Sequence, residues 1–361
     1  MKRRTLLSLL AASSAGTAFA GSWQRGGSSR PVLVLLELRG GNDGLNTVAP
    51  VRDPAYREAR LTLALQDALP LADGLALHPA LAPLLPLWQS RRLSLALGVG
   101  WPRPNRSHFK AADQWATATP AGEGPGWIAA AFDQRRSAGP LVALGPAGST
   151  ALEGGEVLAL QLAPAQLRGR LAAPLEPERA GANPVLRRLL ELELAGNREL
   201  QRLRGQLAPL PPGLDIPSGG LGQQVALALR LIGSGSCPPV LQLAQGGFDT
   251  HSGQANRHGR VLAELAKALA AFAAGLERLP NRPQVTLLAV SEFGRRLREN
   301  GSRGTDHGAA SIALLVGDQL PAPFLGTYPS LTALDDRGDL IANLSPPELY
   351  RQVLQLAGVL S

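Results

Sequence analysis

Short apolar runs alternate with helical patterns along the chain, and this alternation predicts an α/β fold with a mostly parallel sheet. Apolar runs bounded by turn residues are typical of strands that are buried on both faces of such a sheet. The predicted strands lie at residues 32–38, 93–99, 240–244, 285–291 and 312–316, with weaker strand signals at 141–144 and 157–162.

Helix signals lie between these strands. We predict helices at residues 184–207, 221–232, 255–279 and 346–360. Asn183 and Pro184 form an N-cap and first-turn pair, while Gly233 closes the second helix. Ser345 and Glu348 have the spacing of a capping box at the start of the last helix. The order of strands and helices favours one domain at residues 21–361, with an insertion or cap rich in Ala, Pro and Gly at about 120–235.

The first twenty residues have the pattern of a twin-arginine signal peptide. Lys2, Arg3 and Arg4 precede a mildly apolar run at 5–16, and Ala18-Phe19-Ala20, with small residues at its first and third positions, forms a cleavage site. The run is far shorter than the roughly 20 residues that span a bilayer, and no later segment predicts a span. We therefore expect export by the twin-arginine translocase to the periplasm or beyond. An ordinary secretory signal or an uncleaved buried helix is the alternative.

The charge distribution and the cysteine content argue against a nucleic-acid-binding protein and against a disulfide-stabilised one. The formal net charge is +8, but the arginines are spread along the chain without a basic block or interleaved aromatic residues. This distribution does not predict a nucleic-acid groove. Cys237 is the single cysteine, so the chain cannot form an internal disulfide.

Polar and glycine residues concentrate in five short segments, at residues 39–46, 105–109, 246–251, 291–295 and 304–308. Four of these segments lie at or near the end of a predicted strand. Ligands of open α/β sheets bind where the carboxyl ends of the strands meet. Four of the five histidines lie in or near the segments: His108, His251, His258 and His307. We therefore expect one crevice to collect these side chains.

The acidic and imidazole groups of these segments predict a divalent metal site. The candidate ligands are Asp43, Asp249, His251, Glu292, Asp306 and His307. Carboxylate oxygens and neutral imidazole nitrogens suit zinc, with magnesium, manganese or calcium as alternatives, and the set could hold one ion or two. His258 is an alternative to His251. Any one of these residues alone could instead be an N-cap, a buried histidine or part of a turn.

Three further side chains are candidates for chemistry. Ser107 precedes a helical stretch and is either a nucleophile beside the metal or simply the N-cap of that helix. Arg106 and Arg295 could hold a phosphate or sulfate, or could form surface ion pairs. His108 could orient a ligand or face the solvent in the first helical turn.

The segments, taken in order with the leader, resemble a known family. Arg-Gly-Gly-Asn-Asp-Gly-Leu-Asn, Asn-Arg-Ser-His-Phe, Gly-Gly-Phe-Asp-Thr-His-Ser-Gly-Gln, Ser-Glu-Phe-Gly-Arg and Thr-Asp-His-Gly are similar to motifs of the bacterial domain-of-unknown-function family 1501. That family belongs to the alkaline phosphatase and sulfatase superfamily. The resemblance implies a three-layer sandwich like that of alkaline phosphatase, with helices on both faces of the sheet and a two-metal site at its carboxyl edge.

The resemblance also implies roles for single residues. Asp43 matches the metal-binding aspartate after the first strand, and Ser107 stands in the place of the nucleophile. Asp249 and His251 match the aspartate and histidine of the other metal, and Glu292 stands where the superfamily has an Asp-His pair.

Asp306 and His307 match the late histidine ligand. However, Phe293 follows Glu292 where a histidine is expected, so one ligand of the superfamily is missing. No Cys/Ser-x-Pro-x-Arg motif is present, which argues against a sulfatase of the formylglycine type.

We therefore predict a metal-dependent hydrolase of phosphate or sulfate esters, acting outside the cytoplasm on a small-molecule or glycan anionic ester. The missing metal ligand is the reason to consider an alternative to this enzymatic function. In that alternative, a non-catalytic protein of the cell envelope uses the same sheet edge to bind an anionic glycan or a partner.

Overall fold

A twisted sheet flanked by helices forms the centre of the molecule. The computed structural model describes residues 30–134, 139–162, 176–280 and 282–360. The predicted signal peptide lies outside these described residues. No helix within them is long and apolar enough to cross a membrane.

The strands agree closely with the sequence prediction. They are β1 (Val32–Leu38), β2 (Val48–Ala49), β3 (Leu69–Pro70), β4 (Ala76–Leu77), β5 (Leu93–Val99), β6 (Leu141–Ala143), β7 (Ala159–Gln161), β8 (Val240–Gln245), β9 (Val285–Val290), β10 (Ser311–Gly317) and β11 (Phe324–Leu325). Eight of them form one sheet in the order β11-β5-β10-β9-β1-β8-β6-β7. The short strands β2, β4 and β3 form a separate antiparallel sheet.

The large sheet is parallel except for one strand. β1 pairs in parallel with β8 and β9, and β6 with β7 and β8. β10 is antiparallel to both of its neighbours, β9 and β5. The start of β10 therefore lies at the same edge as the ends of β1, β8 and β9. The predicted mostly parallel sheet is thus confirmed.

Helices cover both faces of this sheet. They are α1 (Gly44–Thr47), α2 (Pro54–Ala59), α3 (Leu85–Gln89), α4 (His108–Thr117), α5 (Trp127–Asp133), α6 (Pro184–Gln206), α7 (Gly220–Ile232), α8 (Gln254–Glu277) and α9 (Pro346–Leu356). Short 3₁₀ helices lie at Pro79–Leu84, Thr150–Leu152 and Pro177–Ala180. The predicted caps form: Asn183 accepts from the amides of the first turn of α6, and Ser345 and Glu348 make the capping box of α9.

The alternation of side chains along β1 divides the core into two layers. Val32 and Val34 belong to the apolar cluster that includes Leu262 of α8. Leu33 and Leu35 point to the other face, in the cluster that includes Leu349 of α9. Successive residues of a strand alternate between faces, so a fully apolar strand must be covered on both sides. This arrangement confirms the predicted three-layer sandwich.

The stretch at about 120–235 contributes to the same sheet. Its strands β6 and β7 extend the parallel sheet beyond β8, and α7 packs against α8 in the main core. Its description as an insertion or cap stays a prediction.

Candidate metal site

Five chain segments meet at the edge of the sheet where β1, β8 and β9 end. The residues before β10 join them because that strand is antiparallel, and α4 begins there with His108. The backbones approach so closely that a Cβ on Gly40 would lie 2.5 Å from the amide nitrogen of Asp249. Gly40 also has a φ of 120°, which L side chains rarely adopt. Glycine at this position therefore allows the first loop to lie against the Asp249 loop.

Two of the segments pair with each other as a short antiparallel ladder. Arg295 and His307 form a bridge, and the Gly308 amide donates to the carbonyl oxygen of Gly294 at 2.8 Å. This pairing places the His307 side chain beside the loop that follows β9.

Three side chains form a compact group of potential metal ligands. His108, Asp249 and His307 each offer one ligand atom, and these atoms all lie within 4.8 Å of one another. Nε2 of His108 lies 3.6 Å from Oδ2 of Asp249, and Nε2 of His307 lies 3.3 Å from Oδ1. The side chain of Asp249 is 48% exposed, so an ion could reach it from solvent.

His251 contacts two members of this group. Its Nε2 lies 3.0 Å from Oδ1 of Asp249 and 2.9 Å from Nε2 of His307. Asp249 is thus in contact with three imidazole rings, each through Nε2.

The other nitrogen of each ring is tied to an acceptor. Nδ1 of His108 donates to Glu292 at 2.8 Å, and Nδ1 of His307 donates to the carbonyl oxygen of Arg106 at 2.8 Å. Nδ1 of His251 lies 3.3 Å from the carboxylate of Asp306. Carbonyl and carboxylate oxygens only accept, so each Nδ1 carries the proton.

The tautomers direct the free lone pairs of these rings toward one another. A neutral imidazole that is protonated at Nδ1 presents a lone pair at Nε2. The Nε2 atoms of His251 and His307, together with a carboxylate, then face one another at about 3 Å. Such lone pairs repel unless a proton or a cation lies between them. Imidazoles whose outer nitrogens are held by acceptors, with their inner nitrogens converging, are the common arrangement around a protein-bound metal.

Arg295 fixes the position of Asp249. This guanidinium is 1% exposed and donates to the carbonyl oxygens of Gly40, Gly41, Phe248 and Thr305. It also donates to Oδ1 of Asp249 at 2.7 Å. Burial acts to raise the pKa of Asp249, but the net effect is a lowered pKa, chiefly through the hydrogen bond from Arg295. Because all three nitrogens of Arg295 have protein acceptors, the side chain serves to hold Asp249 and the surrounding loops together.

The surroundings shift the pKa values of His108 and His307 in opposite directions. The hydrogen bond to Glu292 raises the pKa of His108. Burial lowers the pKa of His307. The ring of Phe293 lies against both of them, with centroids 4.9 Å from His108 and 4.5 Å from His307. The residue that replaces the expected histidine thus forms an apolar wall of the site.

Glu292 contacts the group through His108. One carboxylate oxygen accepts from His108 and from the amide of Gly40 at 2.8 Å, and the other accepts from the hydroxyl of Ser291 at 3.0 Å. Burial acts to raise the pKa of Glu292, but the hydrogen bonds from His108 and from the amide of Gly40 together help to lower it. Asp306 contacts Nδ1 of His251 in the same way, and the side-chain amide of Asn300 donates to Asp306 at 3.1 Å.

Asp43 lies in a buried ion pair beneath the site. Arg60 donates to both of its oxygens, at 2.6 and 3.1 Å, and Gln254 donates to one of them. Burial acts to raise the pKa of Asp43, yet the charge of Arg60 keeps it lowered. Both carboxylate oxygens of Asp43 thus accept from protein donors, and Asp43 is not part of the compact ligand group. No sequence motif indicated Arg60, which lies in a different segment.

His258 is also buried beneath the site. It is 1% exposed, and its Nε2 lies 2.9 Å from Oδ1 of Asn42. Burial lowers its pKa to about 3. His258 therefore supports the loop after β1 and makes no contact with Asp249 in the described contacts.

Ser107 and Arg106 lie next to His108 at the start of α4. Ser107 is exposed and stands at the N-cap position, but its side chain makes no capping hydrogen bond. Arg106 forms an ion pair with the buried carboxylate of Asp339. The sequence offered Ser107 and Arg106 as candidates for chemistry and left His108 with two alternative roles. In the structure, His108 is the residue that joins the ligand group.

A cavity of about 540 Å³ adjoins the group. His108, Asp249 and Glu292 line it, together with aromatic residues such as Trp115 and Trp127 and polar residues such as Glu37 and Arg39.

Several solved structures are similar to this chain at low sequence identity. The C-terminal periplasmic domain of EcEptC from Escherichia coli is 10% identical over 92% of this chain and 83% of that chain, with a TM-score of 0.43. A 2-O GAG sulfatase, BT1596, is 10% identical over 92% of this chain and 71% of that chain, with a TM-score of 0.40. A TAB5 alkaline phosphatase variant with Mg bound is 11% identical over 91% and 99%, with a TM-score of 0.40.

No curated protein matches this chain. The model of a family described as "Protein of unknown function (DUF1501)" matches residues 30–332. The match spans most of the 361 residues and confirms the resemblance seen in the motifs. This chain belongs to the DUF1501 family.

Proposed function

We propose that this protein is an exported, metal-dependent hydrolase of phosphate or sulfate esters. One observation carries the proposal: three imidazole Nε2 atoms converge on Asp249 while their Nδ1 atoms are held by acceptors. The convergence lies at the edge of the sheet where ligands of α/β proteins bind.

The donor set fits a divalent cation. His108, Asp249 and His307 supply two nitrogens and one oxygen, and His251 offers a third nitrogen. Zinc suits such a mixture best, with magnesium, manganese or calcium as alternatives. Glu292 and Asp306, which the sequence suggested as ligands, would orient His108 and His251 instead. Asp43 would stabilise the loop through Arg60, so we propose one ion at this group.

A divalent cation there would neutralise charge on the ester and lower the pKa of a hydroxyl beside it. The residues of this chain have separate tasks. Arg295 holds Asp249, and Glu292 holds His108. Phe293 excludes water from one side of the rings.

Ser107 is the proposed nucleophile. It directly precedes His108, it is exposed, and its hydroxyl is not used to cap α4. The first-turn amides of α4 therefore lack a side-chain acceptor, and a helix N-terminus of this kind favours an anionic group. The ion pair with Asp339 favours a structural role for Arg106, unless an anionic ester displaces that carboxylate.

The substrate would be a small-molecule or glycan anionic ester met outside the cytoplasm. Export by the twin-arginine translocase would let the chain fold and receive its metal before it crosses the membrane.

One observation keeps a second function in view. Arg60 donates to both carboxylate oxygens of Asp43, so Asp43 is engaged in an ion pair. The described residues therefore offer one compact group of metal ligands, whereas the superfamily resemblance implies two metal ions. A non-catalytic envelope protein that binds an anionic glycan or partner needs no second ion.

Turnover of an ester panel by the metal-loaded protein separates the two functions. We expect hydrolysis of at least one phosphate or sulfate ester. Ser107→Ala should lower the rate at least about a thousandfold while metal binding is kept. Ser302→Ala removes another exposed serine hydroxyl and should leave the rate unchanged. Undiminished turnover in Ser107→Ala would exclude Ser107 as nucleophile, and binding of esters without any turnover would favour the second function.

A further inference from the structure

The cavity beside the ligand group is larger than the transferred group of any phosphate or sulfate ester requires. Its volume is about 540 Å³, within the roughly 300–1,000 Å³ of pockets that hold whole small molecules. His108 and Asp249 line one end, so the cavity continues directly from the proposed reaction centre. A substrate bound there would place its remaining part in the cavity.

Several aromatic side chains contribute to the walls of the cavity. Trp115, Trp127 and Tyr350 line the cavity, and they are 6%, 6% and 3% exposed. Trp127 and Tyr350 stack with centroids 4.1 Å apart, which makes this wall rigid. Phe109 of α4 also lines the cavity and is 87% exposed, so an aromatic ring stands where solvent can reach it.

The charged residues of the cavity neutralise each other. Arg39 donates to Glu37 at 2.7 Å, and Glu37 also accepts from Ser149 and Gln242. The carboxylate of Glu37 and two of the three guanidinium nitrogens of Arg39 are thus engaged in hydrogen bonds within the protein. A sugar ring would need several free donors and acceptors for its hydroxyls, and a charged group would need an unpaired opposite charge. The lining instead suits an uncharged apolar group.

We infer that the cavity binds the leaving group of the ester, and that this group is an uncharged aryl group. This inference rests on the proposed function, because that function places the ester at Asp249. Planar rings pack against aromatic side chains with favourable edge-to-face or offset-stacked contacts. Among the substrate classes open to this site, aryl esters therefore fit better than glycan esters.

Binding of two phosphonates that cannot be hydrolysed as esters tests the inference without any turnover. The zinc-loaded protein is titrated with phenylphosphonate and with methylphosphonate in a calorimeter. We expect phenylphosphonate to bind at least ~10-fold more tightly than methylphosphonate. The phenyl ring would be transferred from water to the apolar wall of the cavity, which is favourable. Equal affinities would overturn the inference, as would a failure of both probes to bind.

An exposed alanine offers a variant that narrows the cavity. Ala112 lines the cavity on the exposed side of α4. Ala112→Trp should remove the preference for phenylphosphonate and leave the affinity for methylphosphonate unchanged. Ala195→Trp, at an exposed position of α6 outside the cavity, is the matched control and should keep the preference. A preference that survives Ala112→Trp would contradict the assignment of the cavity.

A flexible probe tests the choice of an aryl group. n-Hexylphosphonate has comparable apolar surface without a ring, and binding as tight as that of phenylphosphonate would overturn the aryl assignment. The two proposals fail separately. A preference for phenylphosphonate in a protein that hydrolyses no ester would overturn the proposed function and leave the cavity as an aryl-binding site without a leaving group. Ester hydrolysis with equal binding of the first two probes would sink only this inference.

Discussion

Nδ1 of His108 lies 2.8 Å from a carboxylate oxygen of Glu292, and this contact determines which nitrogen of the ring faces Asp249. Loss of such an outer partner typically weakens metal binding by about 10–100-fold. We expect Glu292→Ala to weaken zinc binding by that factor in a competition assay with a chelating dye.

Glu292→Gln is the matched variant, since its amide oxygen can still accept from His108. It should restore part of the zinc affinity. Unchanged affinity in Glu292→Ala would show that Glu292 does not position His108.

The ion pair of Asp43 and Arg60 should matter for stability rather than for metal binding. Arg60→Met would leave a buried carboxylate without its partner, at a cost of about 3–5 kcal/mol in the free energy of unfolding. Urea denaturation of the metal-free protein measures this loss. The double variant Asp43→Asn/Arg60→Met should lose less, because it leaves no buried charge. A loss of zinc in well-folded Asp43→Asn would instead identify Asp43 as a ligand.

Burial of His258 predicts a loss of stability in acid. Its pKa falls from 6.5 to about 3 in the folded chain, so between these values the unfolded chain binds a proton that the folded chain refuses. The folded state therefore has its full stability with respect to His258 above about pH 6.5. The free energy of unfolding then declines as the pH falls from 6.5 towards 3. The slope is about 1.4 kcal/mol per pH unit for one such group.

Burial also lowers the pKa of His78, which adds to this slope in the natural protein. His258→Gln should therefore reduce the pH dependence of the free energy of unfolding without abolishing it. Urea titrations of both proteins between pH 4 and 7, in the presence of EDTA, measure the difference. Identical slopes would show that His258 takes up its proton in the folded state.

The strands could be predicted because each is a long apolar run between turn residues. β1 and β5 have the predicted bounds, β8 and β9 differ from the prediction by one residue at one end, and β10 is longer by one residue at each end. The direction of β10 could not be predicted, since an apolar run is the same in a parallel and an antiparallel strand. That direction explains why the segment with His307, which precedes a strand, still joins the segments that follow strands.

The composition of the ligand group was only partly open to prediction. Asp249 and His307 stand out through residue type and nearby glycines. The roles of Glu292 and His108 depend on which nitrogen of the His108 ring contacts Glu292 and which contacts Asp249. The spacing of residues in the sequence does not contain that information. The pairing of Asp43 with Arg60 likewise depends on the course of the chain between β1 and α2.

The zinc content of the reconstituted protein tests the central claim most directly. We predict one zinc ion per chain in the natural protein and no stoichiometric zinc in the double variant His108→Ala/His307→Ala. His258→Gln changes a histidine outside the ligand group and should retain one ion. Stoichiometric zinc in the double variant, or no zinc in the natural protein, would contradict the assignment of this metal site.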